Sequence, residues 1–202
     1  MALTNAYTTL ANVKSALRIT DTVDDALIEI AINSASRMID GYCEREFYQS
    51  GTVSRYFAAD SELLVQIDDV AGTAITVATD PNAQGVFDLV WTPANYQLEP
   101  LNGNLAGQTW PYTRIRAALN YLFPVMNDLA LVKVTGVFGW PSIPNDVELA
   151  CILQSERLFK RFDSPTGVVG FGDLGAIRVS RQMDPDVAQL LNPYARNQIG
   201  LA

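Results

Sequence analysis

The chain has 202 residues, 49% of them hydrophobic and 18% charged, which gives a folded globular protein with a real core and excludes a disordered tail. A formal net charge of −8 argues against a duplex-binding surface, which needs Lys and Arg to displace counterions. The absence of histidine removes His-based triads, His-ligated metal sites and imidazole general bases together.

No apolar run reaches membrane-spanning length, and Met1-Ala2-Leu3-Thr4-Asn5 lacks the basic start and apolar core of a signal peptide. Thr9 can cap a short helix with Leu10, Val13, Ala16 and Leu17 on one face, stopping near Ile19-Thr20. Asp21 or Thr22 then caps a second helix, with Asp24 and Asp25 in its first turn at the positive end of the helix dipole. It runs to about Glu46, roughly 35 Å at 1.5 Å per residue. Leu27, Ile30, Ala31, Ser34, Ala35, Met38 and Tyr42 form one stripe, with Ile28, Ile32 and Ile39 in a second beside it. A face that wide implies two partners, one of which can be another subunit.

Near Ser50-Gly51 the period changes from helical to alternating. Val53 to Phe57, Leu63 to Ile67, Ile75 to Thr79, Phe87 to Trp91, Tyr96 to Leu98, Arg114 to Arg116 and Leu131 to Phe138 read as short strands. Turn chemistry separates them at Asp80-Pro81-Asn82, Thr92-Pro93, Asn102-Gly103-Asn104 and Asn127-Asp128. Ala117 to Phe123 fits helix and strand equally. After Trp140-Pro141 the chain returns to helix at Pro144-Asn145-Asp146-Val147-Glu148, with Val147, Ala150, Cys151, Leu158 and Phe162 facing inward. Arg157, Lys160 and Arg161 load its last turns, where cations suit the dipole. A glycine-rich arm, Ser164 to Gly175, follows, then a basic strand-like segment, Ala176 to Arg181, and a turn at Asp184-Pro185. Four glycines in those twelve arm residues make ordering costly, so the arm is expected to be mobile until a neighbour orders it.

The expected fold is α+β: a helical bundle from the N- and C-terminal parts with an inserted β-rich module. The expected boundaries are residues 1–50 for the N-terminal helices, 51–143 for the module, and 144–202 for the C-terminal helix, arm and tail. Because the arm sits between a packed helix and a basic strand, it is suited to lie on a neighbouring subunit.

Each candidate site has a structural reading beside the chemical one. Gly170-Phe171-Gly172-Asp173-Leu174-Gly175 is a literal G-x-G-x-x-G, but the dinucleotide fingerprint needs a strand before it and a helix after it, and here that order is reversed. It reads as a hinge with Phe171 and Leu174 as apolar anchors. Asp21, Asp24 and Asp25 lack the glycine and distal glutamate of a calcium loop and have the spacing of a helix cap. Asp68-Asp69 is a carboxylate pair at a strand end, read as solvated and not catalytic. A serine nucleophile could be activated only by Lys14 or Lys160, which lie in no recognisable motif. Cys43 and Cys151 read as buried thiols of a reducing cytosol, with a disulfide as the alternative. Trp110-Pro111-Tyr112 and Phe138-Gly139-Trp140-Pro141 read as core corners or as protein-contact anchors. No cofactor, no metal and no catalytic residue is expected.

Taken in order, Tyr7-Thr8-Thr9-Leu10-Ala11-Asn12-Val13-Lys14, Asp24-Asp25-Ala26-Leu27-Ile28, Arg55-Tyr56-Phe57, Tyr96-Gln97-Leu98-Glu99-Pro100 and Trp110-Pro111-Tyr112-Thr113-Arg114-Ile115 resemble the head-tail connector, or adaptor, proteins of long-tailed double-stranded DNA bacteriophages. The densest part is Val134-Thr135-Gly136-Val137-Phe138-Gly139-Trp140, followed by Ile143-Pro144-Asn145-Asp146-Val147 and the arm. The resemblance implies a structural virion protein: a ring homo-oligomer, commonly a dodecamer, docked under the portal and presenting a surface to a head-completion (stopper) or tail protein. It also implies assembly in the host cytoplasm and a channel that DNA traverses without specific binding. An acidic wall, from copies at −8 each, would repel the duplex. Intersubunit or portal contacts are expected at Ile28, Ile32, Ile39, Gly170, Phe171, Gly172, Leu174, Gly175, Arg178 and Arg181. The reading from another class is a sugar- or peptide-binding module built on the strands; an enzyme with the glycine loop as phosphate cradle comes last.

Overall fold

Thr9 starts the first helix as its chemistry requires, its hydroxyl accepting from the Asn12 amide in a computed structural model that describes residues 2–105, 107–163, 168–170, 176–178 and 183–196. That helix, α1 (Leu10–Leu17), ends where Arg18 turns left-handed at φ 60°. The next, α2 (Asp25–Cys43), begins later than the sequence suggests. Asp21 accepts from the Val23 amide and closes a turn ahead of the helix, leaving Asp24 at the cap position without a side-chain cap bond. Glu44, at φ 52°, ends it at Cys43, so its 19 residues span about 28 Å and not 35.

The fold is α+β, and the chain divides into two compact units, residues 1–45 with 143–202, and residues 46–142. In the first, Val13, Ile28 and Ile32 are fully buried, with Leu10, Leu17, Ile152 and Phe159 packed against them. The third helix, α3 (Asn145–Asp163), buries Val147, Ala150 and Cys151 as its period predicts. Phe162, expected inward, is 52% exposed. The predicted turn at Asp184-Pro185 extends into a short helix, α4 (Pro185–Leu191), with Asp184 accepting from the Asp186 amide. Arg157 of α3 reaches Asp184 at 3.4 Å, and Tyr42 of α2 donates to Asn192 just beyond α4.

The second unit is built on two antiparallel sheets. One has the order β1 (Thr52–Phe57), β9 (Val132–Val137), β3 (Thr76–Thr79), β4 (Leu89–Trp91); the other has β2 (Leu64–Val70), β8 (Tyr112–Ala117), β5 (Tyr96–Glu99). A bridge between Val70 and Phe138 and a 2.7 Å bond from the Gly139 amide to the Asp69 carbonyl join the two. Strand alternation fills the space between them with Val65, Ile67, Val77, Ile115, Val132 and Val134. A small hairpin, β6 (Asn104–Leu105) and β7 (Gln108–Thr109), grows from the stretch read as turn.

Ala118 to Phe123 is neither helix nor strand. Leu119 is left-handed at φ 57°, and the Ala118 and Phe123 amides bond to the Asn95 and Glu62 carbonyls, each at 2.8 Å. Phe123 stacks on Trp91 with ring centroids 4.5 Å apart, while Leu119 and Leu122 stay exposed. The residues were apolar enough for either period because only some of them turn inward. Following α3, β10 (Val168–Gly170) and β11 (Ala176–Arg178) pair antiparallel, with Val168 opposite Arg178 and Gly170 opposite Ala176.

Candidate functional site

Reactive groups come first, because their surroundings decide whether chemistry is available. Lys14 and Ser15 line one shallow groove, but adjacent residues on a helix do not face each other. The Lys14 ammonium is also held by the Asp25 carboxylate and the Asp21 carbonyl, so it is positioned as an ion-pair partner and not as a base for a hydroxyl. Lys160 lies 3.6 Å from Glu156. Both cysteines are free and buried. Burial pushes the Cys43 thiol up to about 12, and burial raises Cys151 as well, so neither supplies a thiolate near neutrality.

The carboxylate pair at the end of β2 is split by a register shift between Gln66 and Val70. Asp68 faces Arg55 at 2.7 Å, whereas Asp69 is 3% exposed and accepts from the Trp140 indole at 3.0 Å. The expectation of a solvated pair fails for Asp69, which is a buried structural acceptor. Of the three acids before and in α2, Asp25 holds Lys14 and Asp21 holds the turn. Among the described residues no group of three His, Cys, Asp or Glu side chains is placed to hold a metal ion.

What remains is surface. Ile28, Ile32 and Ile39, expected to meet a second subunit, are all 0% exposed and belong to the protein's own core. Their stripe is the one the fold consumes, because three branched aliphatic side chains with no polar end lose nothing by complete burial. The neighbouring stripe is the one left at the surface. Val23 just ahead of α2, at 85% exposure, continues into Leu27, Ile30, Met38 and Tyr42, all exposed, with the small residues Ser34 and Gly41 between them. On α3, Leu149 and Leu153 are also exposed, one turn apart.

Residues 7–76 match the profile of the family described as Phage gp6-like head-tail connector protein. No curated protein matches the sequence. Two solved chains share the fold. One comes from a structure titled "Neck of empty GTA particle computed with C6 symmetry", with a TM-score of 0.54 at 17% identity, covering 96% of this chain and 92% of that one. The other comes from "Virion of native gene transfer agent (GTA) particle", with a TM-score of 0.56 at 17% identity and the same coverage.

The connector profile spans α1, α2, β1 and β2, so the exposed stripe of α2 lies inside it, whereas Leu149 and Leu153 lie outside it. Of the arm residues expected to make contacts, Gly170 ends β10 and Arg178 ends β11, on opposite strands of the ribbon. Phe171, Gly172, Leu174, Gly175 and Arg181 lie outside the described residues, as does the expected mobility of the arm's loops. Trp140 is fully buried between Phe47 and Trp110, at centroid distances of 5.2 and 4.9 Å. Of the two readings of that aromatic corner, core applies. Sequence reasoning missed Leu149 and Leu153, whose i,i+4 spacing on a polar face was the available signal.

Proposed function

We propose that the protein is a structural head-tail connector of a virion, forming a ring under a portal and joining a DNA-filled head to a head-completion or tail protein. The observation that carries this reading is the connector match over residues 7–76, and the fold shared with a chain of a particle neck supports it. The exposed apolar stripe of α2 supports it too, since a soluble monomer gains nothing by leaving such a stripe in water. No step of this function is catalytic, and it needs no cofactor. The resemblance implies twelve copies; the similar neck was computed with six-fold symmetry, which a twelve-fold ring contains. With −8 per copy, DNA traverses the ring without being held, because an acidic wall offers no phosphate contacts.

Size exclusion with light scattering tests the reading, on the full chain alone and mixed with the portal of its own particle. A ring in either sample is the expected result. A monomer that also leaves the portal unbound overturns it.

A further inference from the structure

A closed ring of identical copies needs two different faces on each copy, because a self-complementary face stops at a dimer. The helical unit carries two. One is the stripe along α2, and the other is the Leu149–Leu153 face of α3. They also differ in charge. Asp21 and Asp24 flank Val23 at the start of the α2 stripe, whereas Lys160 and Arg161 lie in the last turn of α3 beyond Leu153, with the Lys160 side chain 67% exposed. We propose that neighbouring copies join head to tail, the α2 stripe of one receiving the α3 face of the next, with the two helices antiparallel.

The spacing fits this arrangement. Leu149 and Lys160 are eleven residues apart, as are Met38 and Leu27, and each pair spans about 16 Å of helix. Antiparallel docking therefore sets Leu149 on Met38, lays Leu153 over the small Ser34, and carries Lys160 to Leu27, within reach of Asp24. The reverse direction would put the acidic start of α3, Asp146 and Glu148, against the acidic start of α2. Beneath Met38 the buried Gln154 amide donates to the Met38 sulfur at 3.6 Å, and its Oε1 has no hydrogen-bond partner among the described residues.

The assignment rests on the ring reading, and its test separates the two. Met38→Glu and Leu153→Glu are made singly in the full chain, checked for an unchanged thermal transition, and weighed by mass photometry under the conditions where the wild type assembles. Each variant alone should fail to form rings. Each retains one intact face, so mixing the two should give a 1:1 dimer and nothing larger. If Leu153→Glu assembles normally and Met38→Glu does not, the α2 stripe is received by a face other than that of α3, and the assignment is overturned. If both assemble normally, the faces are wrong while the ring stands. If the wild type never assembles, ring and assignment fall together. Lys160→Glu should weaken assembly, and adding Asp24→Lys should restore it; no restoration contradicts the antiparallel direction.

Discussion

The two units place their distinctive groups differently. The β unit turns its distinctive groups inward: Trp140 onto Asp69, Trp91 onto Phe123, and the Asp80 carboxylate onto the backbone of its own loop. The helical unit buries one isoleucine stripe of α2 and leaves the next in water. The difference teaches where substitutions act. In the β unit, changing one of these buried groups should cost folding, whereas changing an exposed leucine of the helical stripes should cost assembly and leave folding nearly alone.

The largest effect expected under that comparison is at Gly139. Its φ is +112°, and a Cβ there would sit 1.9 Å from the Tyr48 carbonyl oxygen, so backbone would have to move. Gly139→Ala should cost at least about 3 kcal/mol in urea unfolding. A loss below about 1 kcal/mol would show that this corner yields. Next comes Asp69→Ala, which strands the buried Trp140 indole and should cost on the order of 1–3 kcal/mol, read from the shift in the urea midpoint at constant slope.

Much of this was legible from sequence, and the rest fails for identifiable reasons. Thr9 as a cap, the alternating strands and the inward valines of β9 follow from local chemistry and period. Which of two adjacent stripes on α2 faces inward does not, because both are apolar and only the packing of α1 and α3 chooses between them. Ala118 to Phe123 was unreadable because its direction is set by Trp91 and by the distant carbonyls of Asn95 and Glu62. The arm residues beyond Gly170 and Arg178 stay at the level of expectation.

A smaller effect sharpens the comparison through pH. Burial alone would raise the Asp80 carboxyl, but backbone amides of Gln84, Gly85, Asn82 and Val86 outweigh it and hold the group below its ordinary 3.8. A depressed folded value means stabilisation that is present above about pH 4 and lost as pH falls through the folded value. The wild-type advantage over Asp80→Asn should therefore shrink in acid, measured by thermal melts between pH 6 and the acid limit of folding. An advantage that grows in acid would mean that the loop is not organised by the carboxylate.

The smallest change in stability is expected on the helical stripe. Leu27→Glu should stay within about 0.5 kcal/mol of wild type by the same melts, as exposed substitutions do, while ring formation is lost. A large drop in stability would place Leu27 among core residues and erase the contrast between the units. Short duplex DNA titrated into assembled rings at low salt should show no binding; binding that weakens steeply with added salt would mean the wall is not acidic.

The central claim is that this chain is a ring-forming connector, and imaging tests it most directly. Negative-stain electron microscopy of the full chain, alone and with the portal of its particle, should show closed rings with cyclic symmetry, seated coaxially where the portal is present. Only scattered monomers, with portal rings bare in the mixed sample, would contradict it.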